Sequence, residues 1–147
     1  MKLTILFFLL LFTGVSTYTS AQKSPKKSNV TVKPKSTTAN AGNGKALYAQ
    51  YCLSCHMVDG YGVQNLNPPL IKTTYVLGDK VRLTKILLNG FSERVEIEGE
   101  MYNNVMPSFN YLSNQQIADV LTYVRSNFGN KASAVTVAEV TKIRAGK

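Results

Sequence analysis

Both cysteines and the single histidine of this 147-residue chain fall within five positions, Cys52-Leu-Ser-Cys55-His56. Three chemistries use such a cluster: a metal clip, a redox-active thiol pair, and the C-x-x-C-H sequence that fastens a c-type haem. A structural zinc site needs four ligands, and the chain offers no third cysteine or second histidine. A thioredoxin-like pair sits in a βαβ context, whereas the pattern around these residues is helical. Haem attachment suits the spacing. Residues three apart share one side of a helical turn, so both thiols can add to the two vinyl groups of a porphyrin while His56 presents a ring nitrogen to the iron.

The N-terminal stretch has the pattern of an export signal. Lys2 precedes an apolar run, Leu3–Val15, and small residues end at Ala21. This reads as a secretory leader, residues 1–21, cut after Ala21. Thirteen residues of helix span about 20 Å, too short for an anchor that must cross roughly 30 Å of hydrocarbon. Export places the protein in an oxidising compartment, where thiols pair or are consumed; a periplasmic location is expected.

Residues 22–43 carry five lysines, two prolines and no acid. Too little apolar surface is present to offset ordering, so the segment is expected to be a basic, disordered linker. Its lysines serve solubility first, and weak attraction to an acidic membrane surface or acidic partner second. They also account for most of the +9 net charge: the remaining domain, residues 44–147, has eleven basic and eight acidic side chains, a balance of +3. No basic patch of the kind nucleic acid requires is evident.

Within that domain, Asn43 is a plausible cap for a helix with its stripe at Leu47, Tyr48, Tyr51 and Cys55. Pro68-Pro69 force an extended loop. A second helix starts at Asp79, carries Val81, Arg82, Lys85, Ile86 and Leu88, and stops at Gly90. Val95 and Ile97 alternate with glutamates around Gly99, which predicts a short hairpin. Ser113 and Gln116 form a capping box before Ile117, Val120, Leu121, Val124 and Phe128, one apolar face ended by Gly129. Thr136 and Glu139 form another before a short terminal helix. The fold class is mainly α: three principal helices, a small hairpin, and loops long enough to suggest that a non-protein group organises them.

Over nearly all of residues 43–146 the chain resembles a class I cytochrome c. Gly44 and Tyr48 stand eight and four residues before Cys52, like the glycine and aromatic of that family's first helix. Pro68, twelve residues after His56, looks like the proline whose carbonyl accepts a hydrogen bond from the ligand imidazole, and Leu70 like the leucine packed on the haem. Asn67 departs from the glycine usual before that proline. Asp119 to Val124 is similar to the segment of the last helix that crosses the first. The resemblance implies a covalent haem c with His56 as one axial ligand. It also places the second ligand in a loop before the last helix, which selects Met106, followed by Pro107, over Met101. The hairpin is similar to one in some bacterial cytochromes c, including domains attached to copper nitrite reductases. Tyr48, Leu70, Ile86, Leu87, Phe109 and Tyr123 are candidates for the apolar shell. The implied function is one-electron carriage between redox proteins such as a membrane oxidase, a quinol-oxidising complex or a copper nitrite reductase. A cytochrome subunit of a larger oxidase or reductase is the alternative, with peroxidase activity a third reading should the methionine dissociate.

Overall fold

Asn40, not Asn43, opens the first helix. Its side chain accepts from the amides of Gly42 (2.8 Å) and Asn43 (3.4 Å), and its own amide donates to Asp119 Oδ1 at 2.6 Å. Helix α1 therefore runs Ala41–Tyr51, and residues 40–43, assigned to the linker by composition, belong to the domain. The computed structural model describes residues 38–146; the expected leader and most of the expected linker lie outside them.

A one-turn helix α2, Leu53–His56, follows α1 directly. The Pro68-Pro69 segment is loop, as expected, and leads to a second single turn, α3 (Thr74–Leu77), capped by Thr73. Composition did not mark it. Helix α4, Lys80–Asn89, has Asp79 as N-cap and Gly90 as C-cap, as the sequence predicted. Strands β1 (Val95–Ile97) and β2 (Glu100–Tyr102) pair antiparallel in the register Val95 with Tyr102, Glu96 with Met101 and Ile97 with Glu100. Glu98 and Gly99 both have positive φ, the turn geometry that matches strand twist in a two-residue hairpin. Helices α5 (Asn114–Ser126) and α6 (Val137–Arg144) each begin with the expected capping box.

The main packing is α1 across α5. A Cβ on Gly44 would stand 2.1 Å from the Asp119 carbonyl oxygen and 2.6 Å from Tyr123 Cβ, so only glycine lets the backbones meet. Tyr48, Tyr123 and Phe128 fill the remainder, with ring centroids 5.1–5.6 Å apart. Phe128 does so from outside the helix. Helix α5 ends at Ser126, and Phe128 has φ 55°, turning its ring onto Tyr48 rather than continuing the helical stripe. Helix α6 packs on α4 and α5 through Val140 and Ile143, and Lys80 Nζ meets Glu139 Oε1 at 3.0 Å. Ile117, Val120, Leu121 and Val124 join the core, as their spacing predicted.

Candidate cofactor site

Cys52 ends α1 and begins α2. Its amide donates to the Tyr48 carbonyl at 2.9 Å, and its carbonyl accepts from Cys55 (3.2 Å) and His56 (2.9 Å). The five-residue cluster is thereby wound into one turn, with both sulfurs unbridged. Burial, with a smaller contribution from Cys55, pushes the Cys52 thiol up to about 11. Reactive exchange thiols carry lowered pKa values, so this environment does not suit a disulfide-exchange centre.

An apolar cavity of about 340 Å³ opens beside this turn, lined by Cys52, Cys55, His56, Pro68, Leu70 and Met106 among others. The six residues expected to attach, ligate or orient the cofactor all border this one space. Its size lies within the roughly 300–1,000 Å³ of small-molecule and cofactor pockets. Leu70, Ile86, Leu87 and Phe109 line it as expected; Tyr48 and Tyr123 do not. Those two belong to the α1–α5 contact instead, and the Tyr48 hydroxyl donates to the Met57 carbonyl at 2.6 Å. The places left to them are taken by Tyr75, Phe91, Val95, Ile97 and Tyr102. Strand alternation carries part of that signal: Val95 and Ile97 share one face of β1, and Tyr102 is the register partner of Val95.

His56 is buried, and its Nδ1 lies 3.0 Å from the Pro68 carbonyl. A carbonyl only accepts, so Nδ1 carries the proton and Nε2 keeps its lone pair. Burial lowers the imidazole pKa, opposed in part by the Pro68 bond, which favours the neutral ring that binds a metal. The proline is held from both sides. Val63 and Asn67 exchange a pair of backbone bonds, each 2.8 Å, and the Leu70 amide donates to the Gly60 carbonyl at 2.7 Å. Asn67, unusual at its position, accepts from Asn104 Nδ2 at 2.7 Å and so ties this loop to the residues after the hairpin.

Met106 is held as firmly. Phe91 and Met106 exchange backbone bonds of 2.9 and 2.8 Å, Phe109 donates to the Leu87 carbonyl at 2.9 Å, and the Ser108 hydroxyl donates to that of Leu88 at 2.5 Å. The last carbonyls of α4, which lack helical partners, are thus used to dock the methionine loop. Gly90 makes this possible: its φ is 79°, and a Cβ there would lie 2.6 Å from the Met106 carbonyl oxygen. Met101 is elsewhere. It pairs with Glu96 on the hairpin face opposite Val95 and Ile97, is 37% exposed, and is absent from the cavity lining.

The residues fit a porphyrin: thiols three apart at the edge of an apolar cavity, a neutral imidazole beside them, and no competing cluster of three or more metal-ligating side chains among the described residues. The class so defined is a haem protein with covalent attachment. The chain belongs to the cytochrome c family, whose model matches residues 41–128. It is 33% identical over 114 residues to cytochrome c-552 of Thermus thermophilus, covering 71% of this chain and 86% of that one. It is also 33% identical over 143 residues to the cytochrome c subunit of the quinone alcohol dehydrogenase of Gluconacetobacter polyoxogenes. That match covers 82% of this chain but 27% of the subunit. The fructose dehydrogenase cytochrome subunit of Gluconobacter japonicus is 31% identical over 140 residues, covering 89% of this chain and 26% of the relative. The protein is a c-type cytochrome that binds haem c covalently and transfers electrons. Among the described residues no helix is long and apolar enough to cross a membrane.

Proposed function

We propose that this cytochrome is an exported, periplasmic carrier of single electrons, with haem fastened to Cys52 and Cys55 and its iron held between His56 Nε2 and Met106. The observation that carries this reading is the shared cavity: His56 and Met106 both border it, each fixed by backbone hydrogen bonds. Bound haem supplies the one-electron couple of its iron. The protein supplies the rest. Pro68 sets the imidazole tautomer and orientation, as outer-shell partners of metal-binding histidines do. A thioether favours the reduced iron and raises the potential, and the apolar lining acts in the same direction by disfavouring the extra charge of the oxidised form. Were His56 and Met106 both to hold the iron, no ligand position would be left for a substrate.

Redox partners would be a membrane oxidase, a quinol-oxidising complex or a copper nitrite reductase, with the lysines of residues 22–43 favouring an acidic surface. A second reading is supported by the relatives named as dehydrogenase cytochrome subunits: this chain would then be one subunit of a larger membrane-associated enzyme. The two readings separate on washed membranes, where a subunit co-purifies with its enzyme and a carrier stays in the wash. A peroxidase would profit from a distal acid–base residue, and the single histidine is already committed.

The deciding experiment is voltammetry of the purified haem protein, with carbon monoxide added to its reduced form. A reversible one-electron wave and no carbon monoxide adduct is the expected result. Ready adduct formation with rapid peroxide turnover at neutral pH would overturn the carrier reading.

A further inference from the structure

Arg125 is a buried cation that the site described above does not use. It sits in the last turn of α5, 3% exposed. Its Nε donates to the Ser133 carbonyl at 2.7 Å, and Nη1 donates to the carbonyls of Val76 and, at 3.2 Å, Gly78. Each of these acceptors is neutral. The one ion pair within 4.0 Å among the described residues joins Lys80 to Glu139, so no carboxylate touches the guanidinium. An arginine stays charged in proteins, and a charge buried without a counter-ion is costly to hold. Three backbone carbonyls ease that cost without cancelling the charge.

The position of this charge gives it a consequence. Val76 accepts from the guanidinium and also lines the haem cavity, as does Val124, the residue before Arg125. The cation is thus bonded directly to one residue of the cavity wall and is the chain neighbour of another. No lysine or arginine lines the cavity itself among the described residues, and its one carboxylate is Glu93, so Arg125 is a positive charge set against a negative one in the wall. Reduction adds one electron, delivered by a redox partner, and removes one unit of positive charge from the iron centre. A fixed cation nearby favours that reduced state, and burial of Arg125 lessens the screening that water would give. Salt screens buried charges much less than exposed ones.

We propose that Arg125 is a potential-setting residue, holding the reduction potential of this cytochrome above the value its ligands and apolar lining alone would give. The inference rests on the electron-carrier reading. It differs from a purely structural role, in which Arg125 only clamps the segment Val76–Gly78 to Ser133. Glu139, a carboxylate on α6 that acts on Arg125 through space without touching it, partly offsets the charge.

The test is the midpoint potential of the holoprotein in three variants, each checked for intact haem and for its charge-transfer band. Arg125→Gln removes the charge and should move the electron-exchange equilibrium about tenfold toward the oxidised form, equivalent to 59 mV for one electron. Arg125→Lys keeps the charge while weakening the clamp, and should move it by less than about half as much on a logarithmic scale. Glu139→Gln preserves the capping box, since Gln serves that position as Glu does, and should shift the equilibrium the other way. The Arg125→Gln shift should persist at high salt. Equal potentials across the folded variants, or equal shifts for Gln and Lys at position 125, would overturn the proposal in favour of the clamp. If neither Arg125 variant folds, the Glu139→Gln result decides, and an unchanged potential there overturns it. A wild-type protein with no reversible wave would instead overturn the carrier reading itself, and the proposal with it.

Discussion

The Pro68 carbonyl oxygen lies 3.0 Å from Nδ1 of His56, although twelve residues of chain separate them. This single bond fixes which imidazole nitrogen is free, so the open ligand question lies on the sulfur side. Met106 borders the cavity and Met101 faces away from it on the solvent side of the hairpin. Met106→Ala should therefore abolish the near-infrared sulfur-to-iron charge-transfer band while leaving the haem attached through acid-acetone extraction. Met101→Ala should leave the band intact. A band lost with Met101 and retained without Met106 would refute the assignment.

Gly44 should tolerate no side chain. A Cβ would meet backbone, the Asp119 carbonyl at 2.1 Å, and not the movable end of a side chain. Relief requires α1 and α5 to separate, disturbing the Tyr48, Tyr123 and Phe128 cluster. Gly44→Ala should cost about 1–3 kcal/mol or more, the usual range for overpacking, in denaturant unfolding of the haem protein. A loss below a few tenths would mean the crossing is looser than it stands here.

Asn130 holds the loop that carries Leu70. Its Oδ1 accepts from the Lys72 amide at 2.7 Å, and its Nδ2 donates to the carbonyls of Leu70 (2.9 Å) and Val124 (2.8 Å). Asn130→Ala strands these backbone groups, at about 1–3 kcal/mol for each one left buried and unpaired. The expected outcome is a clear drop in unfolding free energy with haem still attached, checked by denaturant titration and a haem stain. Unchanged stability would show that water replaces all three bonds.

What the sequence made legible follows from the range of the signal. Caps and periodicity are local, so Asp79, Gly90 and both capping boxes were readable, as was the hairpin turn at Glu98-Gly99. The residues expected to hold a cofactor, named from the C-x-x-C-H turn and the family resemblance, all line one cavity. The misreadings involve longer-range choices. Asn40 rather than Asn43 caps α1 because its amide also finds Asp119, 79 residues away. Phe128 fits the helical stripe, yet the chain turns left-handed there and uses the ring against Tyr48. Tyr48 and Tyr123 have the right chemistry for a haem shell but are spent on the helix crossing. Asn130 and Arg125 bond mainly to carbonyls from distant segments, and no local pattern announces such partners.

Glu139 should give the domain a measurable acid limb. Burial alone would raise its pKa, but bonds from the Thr136 amide and hydroxyl and from Lys80 outweigh it and bring the carboxyl below its usual 4.5. Between that lowered value and the usual one of the unfolded chain, the unfolded chain binds more protons. Stability therefore rises with pH across this window. The contribution is complete above the unfolded pKa and disappears as pH falls through the folded one. The carboxylate is part-exposed, 39% for its side chain, so at most about 1 kcal/mol is expected, as for other solvent-screened pairs. Glu139→Gln keeps the cap and deletes the titration. Wild type should unfold at a higher temperature than the variant at neutral pH, and the two should converge at strongly acid pH. A gap that stays constant across the whole pH range would show that the glutamate acts through its shape and hydrogen bonds rather than its charge.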